Sequence, residues 1–178
     1  MQKLIAPLSA LLLMGLVGCG SGEAPDAATP AESTVEAAAE PQQPAEQLPP
    51  EAAFGEKAGA TNDGSQFAIT ASAPKDFTEF SEAPVEGKYV VVDVQAELLG
   101  GDGGAVAATS FMLADASGTE YPNAAPNGTD MAGMLFATLL SKGDTGSGKV
   151  VFDVPADATG FVLKYQPIGA TEAIATWR

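Results

Sequence analysis

The chain has 178 residues, a formal net charge of −15 and 46% hydrophobic residues, which is room for one ordinary domain with extensions. Eight Lys and Arg against 23 Asp and Glu exclude nucleic acid and anionic membrane surfaces as electrostatic partners, because binding a polyanion needs clustered basic residues. The absence of histidine removes the commonest general base and neutral metal ligand, and a single cysteine excludes an internal disulfide.

The N-terminus, MQKLIAPLSALLLMGLVGCG, has the three parts of a secretory signal: Lys3, an apolar run from Leu4 to Val17, and small residues at the expected cut. The run is shorter than the roughly 20 apolar residues a membrane-spanning helix needs. Leu16-Val17-Gly18-Cys19 resembles the lipobox of bacterial lipoproteins. That resemblance implies a lipoprotein signal peptide over residues 1–18, cleavage between Gly18 and Cys19, and a diacylglyceryl group on the Cys19 thiol. The protein would then be extracytoplasmic, with the membrane as a partner through the lipid on Cys19. Each buried methylene contributes about 0.8 kcal/mol, so two or three chains hold firmly where one does not. Gly20 rather than Asp follows the cysteine, which implies the outer membrane in a cell that has two.

Residues 19–60 are rich in Ala, Pro and Glu. From Gly20 onward they carry eight acids against one base, Lys57. Such composition cannot bury enough apolar area to offset ordering entropy, so the expectation is a disordered acidic linker. About 40 residues reach roughly 35 Å as a coil and roughly 120 Å extended.

Residues 61–178 change to period two. SQFAITASA places Phe67, Ile69 and Ala71 on one face. KYVVVDVQAEL places Val90, Val92, Val94, Ala96 and Leu98 on one face and Tyr89, Val91, Asp93, Gln95 and Glu97 on the other. GGDGG then interrupts the chain. SFMLADASGTEY reads as a hairpin turning over Asp115 to Gly118, with Phe111 and Leu113 inward. MAGMLFATLL fits either a strand or a short helix. GKVVFDVP, GFVLKYQP and EAIATW read as further strands, with Val150, Phe152 and Val154 sharing a face in the first. Recurrent strands with turns between them, and no long amphipathic helix, predict an all-β antiparallel sandwich.

The runs GKYVVVDVQAEL, Phe111-x-Leu113 before Asp115-x-x-Gly118 and Tyr121, Gly148-Lys149-Val150-Val151-Phe152-Asp153-Val154-Pro155, and Phe161-x-Leu163-Lys164-Tyr165 resemble a known family. It is the extracellular immunoglobulin-like domain of unknown function carried by bacterial, mainly Gram-positive, lipoproteins, and it is related to the mycobacterial immunoprotective secreted antigen. The resemblance implies an immunoglobulin-like β-sandwich, a surface location and no catalytic residues to carry over. LLGGDGG departs from the tight Asn-containing turn of the family.

Residue chemistry leaves little room for catalysis. Ser-His-Asp and Cys-His arrangements need histidine, and zinc or copper sites lack ligands. Asp102, Asp115, Glu120 and Asp130 lie in turns, but none fits a calcium loop, and turn Asp residues ordinarily serve local hydrogen bonds. Asp93 and Asp153 have the parity of solvent-facing positions. No cofactor, metal site or catalytic residue is assigned. The expected function is non-enzymatic binding or scaffolding at the cell envelope. A small-ligand carrier or sensor component is the alternative, and a carboxylate-dependent hydrolase comes third. The segment from Tyr121 to Leu140 has no clear alternation, and Met131, Met134, Leu135 and Phe136 make it the candidate surface for a protein partner.

Overall fold

The period-two runs form strands, and the computed structural model places them in two sheets that share one core. It describes residues 47–124 and 132–178. In chain order the strands are β1 Glu51–Ala52, β2 Lys57–Asn62, β3 Ser65–Ala71, β4 Lys75–Phe77, β5 Gly87–Gly100 and β6 Gly104–Ala107. They continue with β7 Phe111–Ala114, β8 Glu120–Pro122, β9 Phe136–Leu139, β10 Thr145–Pro155, β11 Val162–Tyr165 and β12 Ala175–Trp177. The described residues form an all-β sandwich whose helical content is one 3-10 turn, Ala108–Ser110.

Strand β5 spans 14 residues. Val90, Val92, Val94, Ala96 and Leu98 point into the core, none more than 2% exposed, as its alternation predicts. β10 pairs with it antiparallel from Thr145 opposite Glu97 to Pro155 opposite Gly87. The other side of β5 is shared. β3 takes Val94 to Gly100, and β4 takes Tyr89 to Val91. Pro74 interrupts between them because it has no N–H to give the ladder. Ser72 bridges the gap: its N–H donates to the Asp93 carbonyl at 2.9 Å, and its Oγ accepts from the Asp93 N–H at 3.0 Å. β2 lies outside β3.

The second sheet runs β1-β12-β11-β7-β8. Phe111, Leu113, Leu163, Tyr165 and Trp177 are its buried inner residues. The expected hairpin is present, with Leu113 of β7 opposite Tyr121 of β8. MAGMLFATLL resolves as strand β9, paired with β6 in a separate two-stranded ribbon. The GGDGG run makes a close crossing. Gly101 has φ +96°, and a Cβ there would lie 2.5 Å from the Gly64 carbonyl oxygen, so only glycine fits.

Two expectations are corrected. The sandwich is not wholly antiparallel, because β1 joins β12 in parallel, with Glu51 opposite Thr176 and Ala52 opposite Trp177. The fold also begins well before residue 61. Pro49 accepts from the Gly59 N–H at 2.8 Å, Pro50 accepts from the Thr176 N–H at 2.9 Å, and Ala58 and Ala60 are core residues. Composition hid this strap because KAGATN has no large apolar residue. Small side chains are what the site requires, since a Cβ on Gly59 would lie 2.6 Å from the Leu48 carbonyl oxygen. The Trp177 indole N–H donates to the Glu56 carbonyl at 3.2 Å and ties the last strand to the first turn. The expected signal peptide over residues 1–18, with Gly18, and most of the expected linker, with Cys19, lie outside the described residues.

Two outcomes follow from this packing. Phe152→Ala removes a fully buried ring and lowers the unfolding free energy by roughly 3–5 kcal/mol in denaturant titration. Limited proteolysis leaves a protected fragment that starts at or before Leu48. A fragment starting near residue 61 with an unchanged melting temperature would show that the strap is dispensable.

Candidate functional site

Residues 123–124 and 133–135 lie along the edge of β10 that β5 does not cover. Asn123 bridges to Phe152, and the Ala124 N–H donates to the Val151 carbonyl at 2.6 Å. Residues 125–131, Met131 among them, lie outside the described residues. The Lys149 N–H then donates to the Gly133 carbonyl at 2.8 Å, and the Leu135 N–H to the Lys149 carbonyl at 2.9 Å. A bare strand edge is a template for unwanted pairing, and these bonds close it. Gly148 permits the approach, because a Cβ on it would lie 2.5 Å from the Leu135 Cα. Glycine inside a strand pattern is a sequence signal for such close contact.

Alternation along β9 divides the predicted partner-binding residues. Leu135 is 2% exposed and belongs to the core with Ala137 and Leu139, so it is removed from the candidate surface. Phe136 is 76% exposed and Leu140 69%. Phe136 stands opposite Ala107, and Thr138 opposite Ala105, so the outer face of the ribbon is small and largely apolar around one aromatic ring. Met134 is half-buried and packs against both the main core and a second cluster.

That second cluster lies on the outer face of β5 and β10, at the Tyr89 and Val91 end of the face that turns polar toward Asp93, Gln95 and Glu97. Phe77, Val91 and Val151 are buried there, with Phe80, Tyr89 and Ala124 packed against them. Its signal in the sequence is the outward pair Tyr89 and Val91 with two phenylalanines three residues apart at 77 and 80. A cleft of about 410 Å³ lies beside these rings, beneath the loop that joins β4 to β5.

The outward acids are not idle. The Asp93 carboxylate lies 2.6 Å from the Lys75 ammonium. The Asp153 carboxylate accepts the Val85 N–H at 2.6 Å and the Glu86 N–H at 3.1 Å, which fixes the height of that loop. Of the turn acids weighed for calcium, Asp115 accepts from Ser117, Thr119 and Tyr121, and Glu120 pairs with Lys164. Asp130 lies outside the described residues. Among the described residues no three His, Cys, Asp or Glu side chains converge to hold a metal.

Residues 57–174 match the family described as a domain of unknown function, DUF4352, which is more than half of the chain. The chain belongs to this family. The match stops short of β1 and β12, so the parallel pair that joins the two ends lies beyond the shared region. No curated protein matches the chain. Among solved structures, a secreted protein of Mycobacterium tuberculosis, MPT63, is similar at a TM-score of 0.56 and 18% identity, over 72% of this chain and 95% of that one. The yjhA protein of Bacillus subtilis is similar at 0.47 and 17% identity, over 66% and 82% of the two chains. An uncharacterized β-sandwich protein of Clostridium difficile follows at 0.40 and 13%, over 78% and 97%. The first of these likenesses supports the sandwich fold.

Perturbed carboxylates in this DUF4352 domain are explained by turns. Hydrogen bonds from the Ser117 and Tyr121 side chains, then from the Thr119 and Ser117 amides, hold Asp115 below the usual carboxylate range. The Leu140 and Ser141 amides do the same for Asp144. The bond to Asp115 in turn raises the Tyr121 phenol. A carboxylate with a depressed folded pKa contributes stability above its unfolded value and loses it as pH falls through the folded value. The expected result is a urea midpoint that drops as pH falls below about 4. Asp115→Asn should remove part of that drop while changing the midpoint less at pH 3 than at pH 6.

Proposed function

We propose that the protein is a lipid-anchored, extracytoplasmic binding module that acts without catalysis. The lipobox-like Leu16-Val17-Gly18-Cys19 supports the anchor, since it follows an apolar signal-like run and holds the one thiol of the chain. Similarity to a secreted protein agrees with a position outside the cytoplasm. The acidic stretch after Cys19 would hold the sandwich off the membrane, because an anionic lipid surface repels a protein of net charge −15.

The observation that carries the binding reading is the register of β9. The strand is seated in the core by Leu135, Ala137 and Leu139, and the same register turns Phe136 outward, with Leu140 exposed just beyond. An exposed large aromatic on a rigid ribbon is the kind of anchor that protein interfaces use. The proposed function is capture or scaffolding of an envelope protein through this face.

Two measurements test the reading. Cys19→Ser abolishes metabolic palmitate labelling and moves the protein out of the membrane fraction, or leaves the precursor uncut. A mutant that still labels refutes the anchor. Phe136→Ser with Leu140→Ser lowers partner capture in an envelope crosslinking experiment while the melting temperature stays within about two degrees. Leu135→Ser lowers the melting temperature first, because it places a hydroxyl in the core. Loss of melting temperature in the double variant, with capture unchanged, would make the ribbon face a structural cap.

A further inference from the structure

The loop Thr78–Glu86 and the end of β5 enclose a feature that the ribbon face does not explain. Phe77, Phe80 and Tyr89 form a run of edge-to-face contacts. The Phe77 and Phe80 centroids are 4.9 Å apart at 84°, and those of Phe80 and Tyr89 are 5.0 Å apart at 75°. Val91 and Val151 are buried and packed with them. Phe80 and Tyr89 are only half-buried, and both line the cleft of about 410 Å³ with Pro84, Asp76, Glu82 and Lys88. The loop is fixed at two points: the Asp153 carboxylate holds the Val85 and Glu86 amides, and the Tyr89 hydroxyl donates to the Ala83 carbonyl at 3.3 Å. The opening is therefore pre-organised and does not have to form on binding.

Its chemistry is one-sided. From residue 76 to residue 89 the chain carries Asp76, Glu79, Glu82 and Glu86 against Lys88 alone. The Lys88 ammonium lies 3.7 Å from the Asp76 carboxylate. Aromatic rings attract a cation through their negative faces, and a planar, weakly hydrated guanidinium suits them best. Carboxylates at the rim add charge-assisted hydrogen bonds and steer a cationic partner toward the site. An anionic ligand would be repelled, and a neutral one would gain nothing from the acids. Two other clefts lack this combination: one is lined by Leu48, Ala60, Phe67, Leu99 and Ile174 with no acid, and the other has Asp93 and Lys149 but no aromatic ring.

We propose that this cleft receives an arginine side chain from a basic segment of a protein partner, with the guanidinium against Phe80 and Tyr89 and the carboxylates of Asp76 and Glu82 at its rim. The proposal rests on the reading of the chain as a binding module and assigns a second contact with its own chemistry. Its test uses different residues from the ribbon face, so the two can fail separately.

The probe is a hexa-arginine peptide titrated into the isotope-labelled full chain carrying Cys19→Ser, followed by amide chemical shifts. The expected shifts are confined to residues 76–89 and neighbours on β10. Phe80→Leu keeps an apolar side chain, removes the ring and weakens binding about fivefold. Glu82→Gln weakens it about threefold. Asp63→Asn, at the far end of the same sheet, leaves binding unchanged. Hexalysine carries the same charge without the planar group and binds more weakly than hexa-arginine to the unmodified site. Shifts spread over the whole acidic surface would overturn the proposal, as would equal affinity for the two peptides or an equal effect of Asp63→Asn and Glu82→Gln. Any of these would reduce the attraction to the net charge of the chain.

Discussion

The backbone pairing of β5 is the constraint from which the rest of the sandwich follows. From Gly87 to Glu97 the strand makes an unbroken ladder with β10 on one side, and it holds β3 and β4 end to end on the other. Because side chains alternate, that one register sends Val90, Val92, Val94, Ala96 and Leu98 inward and Tyr89, Val91, Asp93, Gln95 and Glu97 outward. Through β10 it also fixes Phe152 in the core and Asp153 outside. A slip of one residue in either strand would turn its acid, Asp93 or Asp153, toward the core, which a low-dielectric interior does not tolerate without partners. The two acids thus act as register marks as well as loop and ion-pair residues.

The edges of this ladder decide where function has room. On the β10 side the chain closes its own edge with residues 123–124 and 133–135. On the β2 side the strap at Pro49 does the same, and it continues into β1 beside β12. Closed edges leave little backbone of this sheet for strand addition. Two groups of side chains are available: the ribbon with Phe136 and Leu140, and the aromatic cleft beneath the loop that Asp153 holds. Near Trp177 the Pro50 carbonyl holds the Thr176 amide and the Glu56 carbonyl holds the Trp177 indole, so the first and last strands of the described domain are tied together.

The acids of the domain divide by what they hold. Asp115, Asp144 and Asp153 accept backbone amides and shape turns and a loop. Glu97 and Glu120 sit in ion pairs that each reach over one intervening strand, Lys57 to Glu97 across β3 and Lys164 to Glu120 across β7, and surface pairs of that kind contribute about 1 kcal/mol or less each. Glu79, Glu82 and Glu86 cluster on a single loop next to aromatic rings. The composition alone gives one negative number for all of them, and their placement is a property of the fold.

Much of the sandwich is legible in the sequence, because period two is a local property. The faces of β3, β5 and β10 and the β7–β8 hairpin can be read from alternation alone. The all-β class follows from the lack of any amphipathic helical stretch. The lipobox-like Cys19 motif is likewise a purely sequential signal. Tertiary structure decided three things. The strap and β2 join the domain although KAGATN reads as linker, because small residues are needed under a crossing chain and carry no hydrophobic pattern. Leu135 and Phe136, adjacent and equally apolar, go to opposite sides because the register of β9 on β6 and β10 assigns them, and no local pattern could. The aromatic cleft exists because β4 and β5 bring Phe77 and Phe80 against Tyr89 across a turn that Asp153 fixes from another strand, a relation between residues far apart in sequence that only folding supplies.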